Sequence, residues 1–264
     1  MSDVRLTREL RFGLHEPAPE GEPGSANGFA GSPVLAEIAP FLTLRATVSG
    51  PIDSATGMLV NIKQVDRVLR QKAVPEIRRM HYHERMAAAR IVQRVFEDVR
   101  EAFLPHVLEA LELGLSPFLK MSVEQKERGV VRLTQRFEFS AAHRLHADGL
   151  SAAENVEVFG RCNNANGHGH NYELEVTAAG EPDAAGAVMP VLELQKIVND
   201  RVLNVFDHKH LNVDCPEFKG INPTVENIAR VIHGKLKPAF AGKKARLASV
   251  RVWETPKTMC EYGE

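Results

Sequence analysis

The sequence has almost no net charge and no long apolar run, and these absences limit its possible partners. Its 33 basic residues nearly balance 34 acidic ones, which gives a formal net charge of −1. No basic stripe stands out, so a nucleic-acid partner is not expected. The sequence contains no run of about 18 apolar residues, so a transmembrane helix is not expected. The opening MSDVRLTREL lacks the apolar centre of a signal peptide, and we therefore expect no membrane association.

Cysteine is scarce, since the chain contains only Cys162, Cys215 and Cys260. An odd number of cysteines without an export signal favours free thiols over a disulfide framework. We therefore expect a cytoplasmic protein. A cysteine-rich metal knuckle is also excluded, because only Cys162 lies near a closely spaced pair of histidines.

The length of 264 residues allows one large domain or two small ones, and an internal repeat favours two. Residues 42–69 and 172–203 share one plan. Each stretch begins with the alternation of a half-buried strand, continues through a turn rich in Gly, Pro and Asp, and enters a helical pattern. In the second stretch the apolar stripe of that helix is Leu194, Ile197, Val198, Val202 and Val205.

A second helix and two more strands complete each predicted copy. The apolar positions of this helix are Ile91, Val95, Val99 and Phe103 in the first copy, and Val225, Ile228, Ala229, Ile232 and Leu236 in the second. Thr224 follows Asn222-Pro223 and is predicted to cap the second of these helices.

Each copy therefore has the order strand, strand, helix, helix, strand, strand, which is an α+β fold. We predict a first domain at residues 1–128 and a second at residues 129–264. Residues 16–33 are rich in Pro and Gly and are predicted to form a mobile loop between the first two strands.

A candidate metal site lies in the second copy, in the stretch RCNNANGHGHNY at residues 161–172. His168 and His170 lead directly into a predicted strand, where side chains two apart point to the same face. His143 lies on the preceding strand in FEFSAAHRL and supplies a third imidazole. Three neutral imidazoles suit zinc best, although spacing alone leaves copper, nickel or iron open.

The same region offers groups for proton transfer. Cys162 is open to three interpretations: a fourth metal ligand, a base or nucleophile whose thiolate Zn²⁺ and Arg161 would favour, or an inert buried thiol. Asp207 and His208, in FDHKHLN, form a possible carboxylate–imidazole pair. Glu254 is an acidic residue on a predicted strand, where charge is depleted.

Five motifs together resemble the 6-pyruvoyl-tetrahydropterin synthase family. They are FSAAHRL at 139–145, CNNANGHGHNY at 162–172, FDHKHLN at 206–212, NPTVENIA at 222–229, and WET with CEYGE at the end. The resemblance implies a T-fold, in which subunits pool antiparallel strands into a barrel with helices on the outer face. It also implies a zinc enzyme that acts on a small pterin triphosphate, 7,8-dihydroneopterin triphosphate, and releases triphosphate from it.

The resemblance also implies a role for each matching residue. The implied zinc ligands are His143, His168 and His170. Cys162 would be the catalytic base, with Asp207 and His208 completing its proton relay. Glu254 would anchor the amino-pyrimidine edge of the pterin, with Thr224 and Glu226 nearby.

The first copy departs from these motifs. It has LAEIAPF where the second copy has its histidine pair, and His15 falls near the position of His143. We expect Arg78-Arg79 in place of Asp207-His208 and Gln125 in place of Glu254. The first copy is therefore predicted to be a degenerate repeat that supplies strands to a homo-oligomeric barrel, with active sites at the interfaces.

Two alternatives to a pyruvoyl-forming synthase stay open. Members of the family that make 6-carboxytetrahydropterin for queuosine-type deazapurines tend to have a shorter gap between the cysteine and the histidine pair. Here five residues, NNANG, separate Cys162 from His168, which resembles the pyruvoyl-forming branch. The other alternative is a non-catalytic pterin- or metal-binding module.

Overall fold

The computed structural model describes residues 4–15, 31–32, 35 and 38–263. The chain divides into two compact units. The first comprises Met1–Leu133 and Ala179–Val188, and the second comprises Thr134–Ala178 and Met189–Glu264. Most of the predicted mobile loop at residues 16–33 lies outside the described residues. No helix in the described part of the chain is long and apolar enough to cross a membrane.

The first unit is built from a sheet and helices. Its elements are β1 (Val4–Gly13), β2 (Phe41–Gly50), α1 (Ile62–Val68), α2 (Val74–Tyr82), α3 (Ala88–Arg100), β3 (Val107–Ser116) and β4 (Leu119–Glu124). The strands pair in the order β1-β2-β3-β4, and every pair is antiparallel. Alternate strand residues such as Leu10, Phe12 and Leu44 are fully buried, because side chains two apart share one face. The predicted helix stripe Ile91, Val95, Val99 and Phe103 is also buried.

The second unit repeats this plan with additional short segments. Its elements are β5 (Val131–His143), α4 (Ala152–Phe159), β6 (His168–Gly180), α5 (Val191–Val198), α6 (Asn204–Phe206), β7 (Lys209–His210), α7 (Leu211–Asp214), α8 (Val225–Leu236), β8 (Arg246–Thr255) and β9 (Thr258–Gly263). The strand order is β5-β6-β8-β9, and β7 lies parallel to the end of β5.

Helix α8 begins and packs as its sequence predicts. The Thr224 hydroxyl accepts a hydrogen bond from the Asn227 N–H and caps the helix. Its apolar stripe is buried at Val225, Ile228, Ala229, Ile232 and Leu236. The prediction of an α+β fold with an antiparallel sheet and helices is confirmed.

The two units share an unusual helical detail. A π-helical segment, Leu69–Ala73, joins α1 to α2, and another, Asn199–Leu203, joins α5 to α6. Because π-helix is rare in proteins, two π-helical segments at the same place in both units indicate a shared structural plan. The last hairpins also match, since β3 and β8 have 10 residues each and β4 and β9 have 6 each.

The matching hairpins correct one expectation about the first copy. Ser116 pairs with Leu119, and Thr255 pairs with Thr258, so each hairpin turns through two residues. Glu254 directly precedes Thr255, and the residue that directly precedes Ser116 is Leu115. Leu115, and not Gln125, therefore occupies the place of Glu254. A constant offset between the two copies does not hold here, because the segment that precedes the last hairpin is longer in the second unit than in the first.

Candidate active site

The strand register brings His143 opposite His168. Ser140 on β5 hydrogen-bonds to Asn171 on β6 through their side chains (Oγ to Oδ1, 2.7 Å). In an antiparallel pair, the residue three positions after Ser140 lies opposite the residue three positions before Asn171. Those positions are His143 and His168, and their Nε2 atoms lie 3.1 Å apart. His170 follows on the same face, with its ring centroid 5.2 Å from that of His143.

The three imidazoles fit a metal ion. Within the described residues, one nitrogen from each of His143, His168 and His170 lies within 4.8 Å of the other two. The Nδ1–H of His143 donates to the Pro223 carbonyl (2.7 Å), which leaves its Nε2 lone pair free for a cation. Two nitrogens bound to one tetrahedral zinc lie about 3.3 Å apart, close to the observed 3.1 Å. His170 Nε2 is buried and has no hydrogen-bond partner among the residues that the structure describes.

Burial favours the neutral form of His143 and His168, which is the state that binds a metal. His143 is fully buried. Desolvation lowers its pKa to about 4, and the neighbouring histidines add to this shift, while the bond to Pro223 opposes it. Burial also lowers the pKa of His168. At neutral pH both side chains therefore offer lone pairs.

Cys162 lines the same cleft as His168 but lies outside the histidine cluster. It is on the 3₁₀ turn Gly160–Asn163 and is partly buried. Its turn and His168 line one cleft of about 550 Å³. No group of potential ligands in the described residues unites the Cys162 sulfur with the three imidazoles. The three imidazoles therefore leave one position of a tetrahedral site open, which a fourth protein ligand would have closed.

Asp207 and His208 form the predicted carboxylate–imidazole pair. Asp207 Oδ2 lies 2.9 Å from His208 Nδ1, and its Oδ1 accepts the Ser140 backbone N–H (2.8 Å). This backbone bond lowers the pKa of Asp207, burial opposes the shift, and His208 adds to it. The His208 side chain is 83% exposed and lines a second cleft of about 500 Å³ together with His170. Cys162 and His208 therefore line different clefts of the same unit.

The predicted substrate-binding residues are placed unequally. Glu254 lies at the histidine cluster, with Oε1 3.3 Å from His143 Nε2 and 3.8 Å from His170 Nε2. Thr224 follows Pro223, whose carbonyl orients His143, and serves as the cap of α8. Glu226 is exposed in the first turn of α8. Of these three residues, Glu254 is the one that contacts the histidines within the described part of the chain.

Comparison with known proteins assigns this half of the chain to a family. The sequence model described as 6-pyruvoyl tetrahydropterin synthase matches residues 132–264, the stretch that contains all the residues above. The chain belongs to this family. The 6-pyruvoyl tetrahydrobiopterin synthase of Drosophila melanogaster is 41% identical over 137 residues, which are 52% of this chain and 81% of the relative. The human protein of that name is 40% identical over 132 residues, which are 50% of this chain and 90% of the relative.

A more distant relative carries another name. The 6-carboxy-5,6,7,8-tetrahydropterin synthase of Haemophilus influenzae is 29% identical over 154 residues, with 50% of this chain and 99% of the relative covered. The relatives named for the pyruvoyl product are therefore closer to this member of the family.

The first unit holds different side chains where the family motifs stand in the second. His15 lies two residues after β1 and is buried. Its carbonyl accepts a hydrogen bond from Arg78 Nε (2.7 Å), and the Leu14 carbonyl accepts one from the Tyr82 hydroxyl (2.9 Å). Counting back from Gly50 and Gly180, which end β2 and β6, places Ile38 and Pro40 at the positions of His168 and His170. Neither residue can bind a metal through its side chain.

Sequence patterns missed the groups that orient these site residues. The sequence of Asn222-Pro223 indicates the start of a helix, whereas the Pro223 carbonyl also fixes the His143 ring. No sequence pattern indicates a role for Arg144 or Asn163, although each directly follows a residue of the predicted site. Their adjacency to His143 and Cys162 was the available signal, but adjacency in sequence does not predict a contact between the two segments.

Proposed function

We propose that this chain is a 6-pyruvoyl-tetrahydropterin synthase, a lyase that converts 7,8-dihydroneopterin triphosphate to 6-pyruvoyl-tetrahydropterin with loss of triphosphate. The observation that carries the proposal is the cluster of three imidazole nitrogens, with the partly buried thiol of Cys162 beside one of them. Relatives named for this activity, at about 40% identity, support the same assignment.

We propose zinc as the metal, held by His143, His168 and His170. Three neutral imidazoles form a donor set that zinc accepts with one position left open. Zinc in this site would polarise the hydroxyl groups of the substrate side chain and acidify the carbon-bound protons next to them.

The protein's own groups would then move the protons. The Cys162 thiolate removes a carbon-bound proton, triphosphate leaves by elimination, and the side chain tautomerises to a diketone. Asp207 orients His208, which returns a proton. Cys162 and His208 line different clefts of one chain. We therefore propose that another subunit of the homo-oligomer brings its Asp207–His208 pair to the thiol.

Glu254 would anchor the pterin ring. A carboxylate accepts hydrogen bonds from two adjacent N–H donors, and the pterin edge presents such a pair. Because Glu254 lies beside His143 and His170, it would hold the pterin ring next to the metal. The side chain of the substrate would then be within reach of the metal. Thr224 and Glu226 are proposed to lie at the border of the same pocket.

A second candidate product is 6-carboxytetrahydropterin, because the relative from Haemophilus influenzae is named for that product. Two observations favour the pyruvoyl product. The relatives named for it are more similar in sequence, and the five-residue spacing between Cys162 and His168 resembles that branch.

Turnover of 7,8-dihydroneopterin triphosphate tests this function. We expect the zinc-loaded full chain to release one inorganic triphosphate per pterin consumed, and the pterin product to have the mass of 6-pyruvoyl-tetrahydropterin. A product with the mass of the carboxy compound would assign the chain to the second candidate. Binding of the substrate without turnover would instead indicate a non-catalytic module.

We also propose that the chain is a tandem duplication, with a degenerate structural copy at residues 1–128 and a catalytic copy at residues 129–264. The similar order of the main strands and helices, the paired π-helical segments and the matched hairpins support this proposal. Among the described strands, β1 ends the order beside β2 and β9 ends it beside β8, and the Ser32 N–H donates to the Arg11 carbonyl at the outer edge of β1. Open edges of this kind are a liability, so we propose a homo-oligomer in which they are covered in a closed barrel.

A further inference from the structure

We propose that Arg144 is a positioning residue that holds the Cys162 thiol in place for proton transfer. This inference rests on the proposed role of Cys162 as the base. The side chain of Arg144 leaves the chain directly after the metal-site residue His143 and reaches the turn that carries Cys162. It therefore connects the two halves of the proposed chemistry.

The contacts of the guanidinium group are directed at one residue of that turn. Arg144 Nε donates to the Asn163 carbonyl (3.2 Å), and Nη2 donates to the Asn163 side-chain oxygen (3.1 Å). The same Nη2 lies 3.2 Å from His146 Nδ1, and that nitrogen lies 3.0 Å from the Asn163 side-chain oxygen. Because Asn163 directly follows Cys162, these bonds fix the turn next to the thiol. A planar guanidinium is suited to this task, since its donors have a fixed geometry.

The base of the Arg144 side chain is itself held. The Arg144 backbone N–H donates to the Asn212 side-chain oxygen (2.8 Å), and the Asn212 amide donates back to the Arg144 carbonyl (3.0 Å). The Leu145 N–H donates to the Cys162 carbonyl (2.8 Å). The segment after His143 therefore has a defined position relative to the turn, and Arg144 transmits that position to Asn163.

The alternative is that Arg144 only stabilises the fold or only contributes charge. Arg161 provides a matched control for charge, because it is also next to Cys162, lines the same cleft and is exposed. Loss of either arginine removes one positive charge near the thiol, which disfavours the thiolate. Only loss of Arg144 also removes the hydrogen bonds that hold the turn.

The experiment compares Arg144→Gln, Arg144→Lys, Asn163→Ala and Arg161→Gln in the zinc-loaded full chain. We expect Arg144→Gln to lower kcat by about 10-fold to 10²-fold, because a small displacement of a catalytic group has effects of this size. KM should change by less than about threefold, because the substrate contacts remain in place. Lysine keeps the positive charge but lacks the planar set of N–H donors of a guanidinium group. The kcat of Arg144→Lys should therefore lie between those of wild type and Arg144→Gln.

Alkylation of Cys162 by iodoacetamide, followed by peptide mass mapping, provides a readout besides turnover. In Asn163→Ala, which keeps the charge, the released turn should expose the thiol and accelerate its alkylation. In Arg144→Gln the lost charge opposes this release, so its alkylation should be faster than in Arg161→Gln, which loses the same charge and keeps the turn. In Arg161→Gln the lost charge should slow alkylation. Zinc content should be unchanged in all four variants.

Unchanged kcat in Arg144→Gln, together with alkylation no faster than in Arg161→Gln, would overturn the inference. Loss of zinc together with kcat would also overturn it, because the effect would then act through His143. If Arg144→Gln does not fold, Asn163→Ala provides the test instead. A wild-type kcat together with a wild-type alkylation rate in Asn163→Ala would refute the positioning role. A fully active Cys162→Ala variant would refute the proposed role of the thiol itself, which is a separate failure.

Discussion

Replacing Cys162 with alanine is expected to lower kcat by about 10²-fold or more while zinc stays bound, on the usual magnitude of general-base catalysis. The thiol lies beside His168 in its cleft but outside the group of three imidazole nitrogens. Loss of the sulfur should therefore remove the base and leave the metal ligands intact. Steady-state turnover and metal analysis on the same protein preparation provide the measurement.

Two further variants make the result on Cys162 specific. Cys260→Ser removes another partly exposed thiol, one that lines neither of the two clefts described above, and should retain activity. Cys162→Ser replaces the thiol with a much weaker acid and should also be impaired. If Cys162→Ala loses zinc together with activity, the sulfur is a fourth ligand. If it turns over at the wild-type rate, the thiol is inert.

Removal of residues 1–128 is expected to cause aggregation or loss of activity, although every proposed catalytic residue remains. The first compact unit includes Ala179–Val188 and extends to Leu133, so the deletion would leave parts of that unit behind. Val131, Leu133 and Val188 are buried there. Each buried side chain of this size contributes about 1.5–3 kcal/mol, so exposure of the three would cost about 4.5–9 kcal/mol, comparable to the stability of a whole domain.

The deletion would also remove specific polar contacts. Arg90 Nη2 donates to the carbonyls of Pro182 (2.8 Å) and Asp183 (3.1 Å). Co-expression of residues 1–128 as a separate chain is the control, and it should restore soluble protein at least in part. A soluble and fully active fragment 129–264 would show that the first copy is dispensable. Light scattering that finds the full chain as a monomer at micromolar concentration would contradict the closed barrel.

Local periodicity predicted the features of the fold that depend on neighbouring residues. Of the predicted stripe, Leu194, Val198 and Val202 are buried, whereas Ile197 and Val205 at its borders are half-buried. His168 and His170 lie on one strand face, because the side-chain period of a strand is fixed. The position of His143 on the preceding strand was also predictable, since strands adjacent in sequence usually pair.

Features that depend on distant segments were not predictable in this way. The bond from His143 to the Pro223 carbonyl joins residues 80 positions apart. The separation of Cys162 and His208 into two clefts likewise depends on how α4 and β7 pack, which no local pattern specifies. Loop lengths also differ between the copies, and this difference placed Gln125 where the hairpin register has Leu115.

The number of zinc ions per chain tests the central claim most directly, namely that one zinc site made by His143, His168 and His170 serves the whole chain. Metal analysis of the purified full chain should give about one zinc per chain, and His168→Ala should remove most of it. His146→Ala is the matched control, because His146 lies near this site but outside the cluster of three, and it should keep its zinc. Two zinc ions per chain, or undiminished zinc in His168→Ala, would contradict the account.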